Sequence, residues 1–86
     1  MMGEADEIRL KRLRMRSWRR GTKEMDMILG PYSDASLSDL SATDLDQYET
    51  LLSENDQDLY QWVTGKVTPP AQFVPILNKV MDFHGI

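Results

Sequence analysis

The stretch Arg19-Arg20-Gly21-Thr22-Lys23-Glu24 decides how the chain is read. Gly21 is the only glycine between Gly3 and Gly30. It marks a helix stop and a turn, because glycine adopts positive φ without steric cost. Glu24 then falls in the first turn of the next helix, where a carboxylate meets the positive end of the helix dipole. Spacing alone predicts a capped helix–helix turn closed by a solvated Arg20–Glu24 ion pair. The charge of the chain also changes sign at this point. Residues 1–24 carry eight Lys and Arg against four acids, whereas residues 25–86 carry two against ten, within a net charge of −4. That asymmetry fits a basic face that meets an acidic partner or a phosphate. It fits equally a basic segment packed against its own acidic remainder.

Working outward, residues 5–19 contain no Gly or Pro and are rich in Arg, Leu and Met, which favour a helix. On a helical wheel Arg9, Arg12, Arg16, Arg19 and Arg20 share one side, with Leu10, Leu13, Met15 and Trp18 covering much of the other. Residues 22–35 form a second helical pattern, with Met25, Ile28, Leu29 and Tyr32 at i, i+3, i+4 and i+7. Gly30-Pro31 interrupts it, and proline predicts a kink or a stop near Leu29. Residues 36–40 read as a linker. Ser41 opens a third helix with Ser41-x-x-Asp44 as a capping box, Leu40 and Leu45 as its hydrophobic staple, and Leu45, Tyr48, Leu51 and Leu52 as its apolar side. Asn55 or Asp56 caps a fourth, which turns Leu59, Trp62 and Val63 inward and closes at Gly65. Thr68-Pro69 opens a fifth segment whose regular part can begin only at Pro75, with Val74, Leu77, Val80 and Met81 inward and Gly85 at its end. No segment alternates as a strand does. The fold class is therefore all-α, a compact bundle of about five short helices. It forms one domain over residues 1–86, with a flexible N-terminus at 1–6 and a frayed C-terminus at 84–86.

Composition removes most catalytic classes. The absence of cysteine excludes disulfides, thiol catalysis and cysteine-ligated zinc. His84 is the single histidine and reads as a helix-end residue, having no second catalytic group at a matching spacing. No metal site, phosphate-cradling loop or nucleophile–base pair is visible. Asp44, Asp46, Glu49, Glu54, Asp56 and Asp58 read as caps and solvated faces, and Asp56-x-Asp58 lacks the glycine and distal glutamate of a calcium loop. No apolar run approaches a membrane span, and Glu4, Asp6 and Glu7 do not suit a signal peptide or a targeting presequence. A bacterial cytoplasmic protein is expected. The arginine helix leaves open a second class, a small nucleic-acid-binding protein, against which the acidic remainder of the chain weighs.

Arg20-Gly21-Thr22-Lys23-Glu24 matches the R-G-x-x-E motif of the SdhE family of succinate dehydrogenase assembly factors, with Met25-Asp26 continuing it. A second block, Leu51-Leu52, Asp56, Asp58-Leu59 and Trp62, resembles that family's L-L-x-x-x-D-x-D-L-x-x-W. The resemblance spans roughly residues 8–83 and implies a five-helix bundle. It implies a non-enzymatic factor that binds the flavoprotein subunit of succinate dehydrogenase or fumarate reductase and promotes covalent attachment of FAD to a histidine of that subunit. Arg19, Arg20, Gly21, Lys23, Glu24 and Asp26 become the expected partner-binding residues. No tightly bound cofactor is implied, and the client's FAD is the one such group within the chain's expected reach. A monomer is expected, with no nucleic acid and no membrane insertion.

Overall fold

The structure is a computed structural model that describes residues 4–85. Five α-helices run through them: α1 (Glu4–Trp18), α2 (Lys23–Ser36), α3 (Ala42–Leu51), α4 (Asp56–Val63) and α5 (Val74–His84). Two 3-10 turns, Leu37–Asp39 and Ala71–Phe73, join them, and no strand occurs among the described residues. The expected all-helical bundle is what forms. Residues 1–3 and Ile86, part of the termini expected to be loose, lie outside the described residues.

Helix starts follow the side chains that cap them. Thr22 Oγ1 accepts from Met25 N, Ser41 Oγ from Asp44 N at 3.1 Å, and Asn55 Oδ1 from Asp58 N at 2.9 Å. Each bond satisfies a backbone donor that the first helical turn leaves without a partner. Asn55 rather than Asp56 is therefore the cap of α4, which leaves the Asp56 carboxylate available elsewhere. At the far end, Gly85 closes α5 in the left-handed conformation at φ +74°. Thr68 and Pro69 stand outside α5, which begins at Val74 with Pro75 in its first turn, where the missing N–H costs no hydrogen bond.

Pro31 neither stops nor ends α2, which continues to Ser36. Of the kink or stop expected near Leu29, the stop does not occur, because tertiary contacts hold both halves. Leu29 and Tyr32 are buried on either side of the proline. His84, on the last turn of α5, lies with Nε2 2.6 Å from the Ile28 carbonyl oxygen and donates to it. The ring of Phe83 packs edge-on against Tyr32, with centroids 5.6 Å apart. His84 is thus the helix-end residue expected, but it ties α5 to α2 rather than fraying.

The core gathers Leu10 and Leu13 of α1, Met25 and Leu29 of α2, Tyr48 and Leu51 of α3, Leu59 and Val63 of α4, and Ile76 and Val80 of α5. Several expected inward positions differ. Met15, Trp18 and Val74 are exposed, whereas Ile76, Phe73 and the supposed linker residue Leu37 are buried. In α1 the inward face is Leu10, Leu13 and Ser17, at i, i+3 and i+7. A serine is accepted there because it is fully bonded: its hydroxyl donates to Leu13 O at 2.8 Å and lies 2.6 Å from the Tyr48 hydroxyl. Ser17 donates to the carbonyl, so Tyr48 donates to Ser17. Trp62 is half-buried against Phe73.

Candidate docking site

Three elements meet at the Arg-Gly corner. Gly21 has φ +102°, a conformation that side chains with a Cβ rarely adopt, and it turns the chain from α1 into α2. The corner is fixed from inside by Arg20. Its backbone N–H donates to Asp26 Oδ1 at 2.6 Å. Its guanidinium donates from Nε to Asp56 Oδ1 at 2.8 Å, from Nη1 to the Leu52 carbonyl, and from Nη2 to the Glu54 carbonyl at 2.7 Å. The Arg20 and Asp56 side chains are only 9% and 11% exposed.

The expected Arg20–Glu24 pair is therefore absent. Arg20 turns inward because the α3–α4 junction offers the carbonyls of Leu52 and Glu54 together with the Asp56 carboxylate. A planar guanidinium with five donors fits three such acceptors at once, and lysine does not. Asp56 is accordingly a buried partner and not a solvated acid. Asp46 lies on a solvated face as expected, while Glu49 is half-buried, and the two hold Arg9 at 2.7 and 2.9 Å respectively.

The six residues predicted for partner binding divide in two. Arg20 and Asp26 build the corner. Arg19, Gly21, Lys23 and Glu24 are exposed on its outer surface. A Cβ added to Gly21 would approach only Asp56 Oδ2, at 3.6 Å, so the glycine answers a backbone conformation and not a tight contact. Beside it an open groove of about 240 Å³ is lined by Thr22, Glu24, Asp56, Gln57 and Tyr60. The corner presents charges of both signs around a bare stretch of backbone. That arrangement suits a protein surface and carries no nucleophile–base pair. Among the described residues no cluster of His, Asp and Glu could hold a metal ion, and no helix is long and apolar enough to cross a membrane.

Three residues that matter here were not singled out for this role by their sequence. Asp56 carried one signal, since it belongs to the second motif block that accompanies the Arg-Gly block. Trp18 and Gly30 carried none. The indole of Trp18 lies across α2 at Gly30, where an added Cβ would fall 2.4 Å from the ring, and its Nε1 donates to Asp34 at 3.1 Å. This contact sets how closely α1 approaches α2 on the way into the corner.

A family model described as "Flavinator of succinate dehydrogenase" (Sdh5) matches residues 11–84. The chain belongs to this family. Curated relatives include proteins named "Succinate dehydrogenase assembly factor 2, mitochondrial". That of Meyerozyma guilliermondii is 41% identical, covering 78% of this chain and 51% of the relative. That of Mycosarcoma maydis is 33% identical, covering 87% and 32%. That of Dictyostelium discoideum is 29% identical, covering 96% and 58%. The chain thus spans about a third to somewhat over half the length of these relatives. No solved structure matches it. The matched region of the flavinator family includes the whole corner and both helices that Arg20 joins to it. The expectation of a bacterial cytoplasmic protein is overturned, because these relatives are eukaryotic and named mitochondrial. That expectation rested on the lack of a membrane-length apolar run and on Glu4, Asp6 and Glu7 near the start of the sequence. The helical domain shared with the flavinator family carries no physical mark of a compartment.

Proposed function

We propose that the protein is an accessory factor that docks its Arg-Gly corner on the flavoprotein subunit of succinate dehydrogenase and promotes covalent attachment of FAD to that subunit. The observation that carries this reading is the buried Arg20–Asp56 clamp, which holds Arg19, Gly21, Lys23 and Glu24 outward on a rigid corner. Family membership supplies the partner class, and the corner supplies a surface fit for it. The reacting groups belong to the client. This chain contributes alignment and electrostatics, effects that are large when the reacting atoms are already held close. The grooves beside the corner are open, so FAD is met, if at all, on the client's surface rather than in a pocket of this chain. Against the nucleic-acid alternative, Arg9 and Arg20 of the arginine face are bound to the protein's own acids, and residues 25–86 carry ten acids against two lysines.

The test is covalent flavin incorporation. Purified flavoprotein subunit lacking flavin is incubated with FAD and this protein, and covalent flavin is read by in-gel fluorescence. Incorporation is expected to rise with added wild-type protein and to be weak with Glu24→Ala. Incorporation that is indifferent to the wild-type protein would refute the reading.

A further inference from the structure

Helix α1 has a second organised face besides the buried one. Opposite Leu10, Leu13 and Ser17 run Ile8, Arg12, Met15 and Arg19, at i, i+4, i+7 and i+11. Ile8 is 58% exposed and Met15 46%. With Lys11 and Arg16 they line an open groove of about 460 Å³ that ends at the Arg19–Arg20 corner. Among the described residues Lys11, Arg16 and Arg19 take part in no ion pair, and Arg12 reaches Glu49 only at 3.7 Å. Two bare apolar side chains therefore lie in a frame of four cations, on a protein whose residues 25–86 are strongly acidic.

We propose that this groove binds an acidic amphipathic helix of a protein partner. Ile8 and Met15 are seven residues apart, which on a helix is about 10.5 Å, or two turns. A partner helix with apolar side chains at i and i+7 has the matching spacing, the usual pattern of a helix laid in a groove. Its flanking carboxylates would meet Arg12, Arg16, Arg19 and Lys11, and guanidinium–carboxylate pairs give both strength and direction. Charge and size together select this occupant. A single helix can seat its carboxylates on these four cations alone, whereas an anionic membrane or a nucleic acid extends past the groove to the acidic remainder of the chain, and a face with two apolar residues is too narrow to bury in a lipid interface. Arg19 lines both groove and corner, so a helix seated here continues the surface that meets the client. The inference rests on the reading of the protein as a docking factor, but not on which client it serves.

The probe is a dye-labelled synthetic helix of about 18 residues, long enough to be helical, built of Glu and Ala with two leucines at i and i+7. Its binding to the full chain is followed by fluorescence anisotropy, beside a scrambled peptide and phosphatidylserine vesicles. Binding is expected for the patterned peptide alone, weakening as salt rises. It should fall at least about tenfold in Ile8→Asp and in Met15→Asp, as for loss of a central anchor. Both positions are exposed, so both variants should melt like wild type. Failure of the peptide to bind, equal binding of the scrambled peptide, undiminished binding by folded variants, or capture of the vesicles instead would each overturn the inference. A second arm uses the flavoprotein subunit. If it binds wild type and both groove variants equally, the groove is not its docking face and the inference falls. If it binds none of them while the patterned peptide still binds, the groove stands and the choice of client falls.

Discussion

Arg20 and Asp56, separated by 36 positions in sequence, form an almost fully buried ion pair at 2.8 Å. The guanidinium is also bonded to the two carbonyls that end α3 and lead into α4. The pair ties the helix-turning corner to the opposite half of the bundle. Removing Arg20 leaves a buried carboxylate and two carbonyls without their donor, and removing Asp56 leaves a buried guanidinium without its counter-charge.

Arg20→Ala should therefore cost about 3–5 kcal/mol, the range for breaking a buried pair from one side. In a domain of this size that is a large part of the total stability. Arg9→Ala is the comparison, because Arg9 pairs with Asp46, which is 70% exposed, and should cost about 1 kcal/mol or less. Denaturant melts of the two variants measure the difference. Equal, small losses would show that the clamp contributes little.

Gly30→Ala should destabilise the protein although alanine is the better helix former. The new Cβ would fall within 2.4–2.6 Å of the Trp18 ring, which must move and give up its bond to Asp34. A loss of about 1–3 kcal/mol is expected from such overpacking. Emission from Trp18, isolated in a Trp62→Phe background, should shift toward that of a water-exposed indole. In a Trp18→Ala background the same substitution should become favourable, and a double-mutant cycle would read that reversal.

Much of the fold was legible because helix caps and apolar periods are local. Ser41, Asn55 and Gly85 act as their spacing predicts. What was not legible depends on contacts between segments distant in the chain. Pro31 stays inside a helix because Leu29, Tyr32 and His84 hold it there. Ser17 occupies a core position because Tyr48, 31 residues away, donates to it. Within the corner, the motif correctly placed Gly21 at a positive-φ turn, but it could not say that Arg20 points inward. An arginine in a short charged turn has many possible partners, and only the assembled α3–α4 junction selects Asp56.

Tyr48 gives the protein a distinct alkaline limit. Burial holds its hydroxyl proton well above the ordinary tyrosine value. Burial, followed by Asp44, raises Tyr32 as well. The folded state then keeps protons that the unfolded state releases from about pH 10 upward. Their stabilising contribution is complete below that pH and is lost as pH rises toward the folded-state values. Stability should fall above about pH 10, and the slope should be shallower in Tyr48→Phe. Denaturant melts across that range, with ultraviolet titration of tyrosinate, test this. An unchanged slope in the variant would assign the alkaline loss to other groups.

The last prediction separates the corner's shape from its contacts. Gly21→Ala and Gly21→Arg share one backbone penalty, since both place a Cβ on a residue at φ +102°. That penalty is about 1–2 kcal/mol. The added Cβ itself meets only Asp56 Oδ2, at an ordinary contact distance of 3.6 Å. The two variants should therefore melt at similar, lowered temperatures while keeping the helical spectrum. They differ in what stands outside the corner: a methyl group in one, and in the other a long cation on the face proposed to meet the client. Flavin incorporation, compared at equal concentrations of folded protein, should be nearly wild-type for Gly21→Ala and largely lost for Gly21→Arg. If both support incorporation equally, the surface between Arg19 and Glu24 is not where the client docks, and Gly21 serves only to turn the chain.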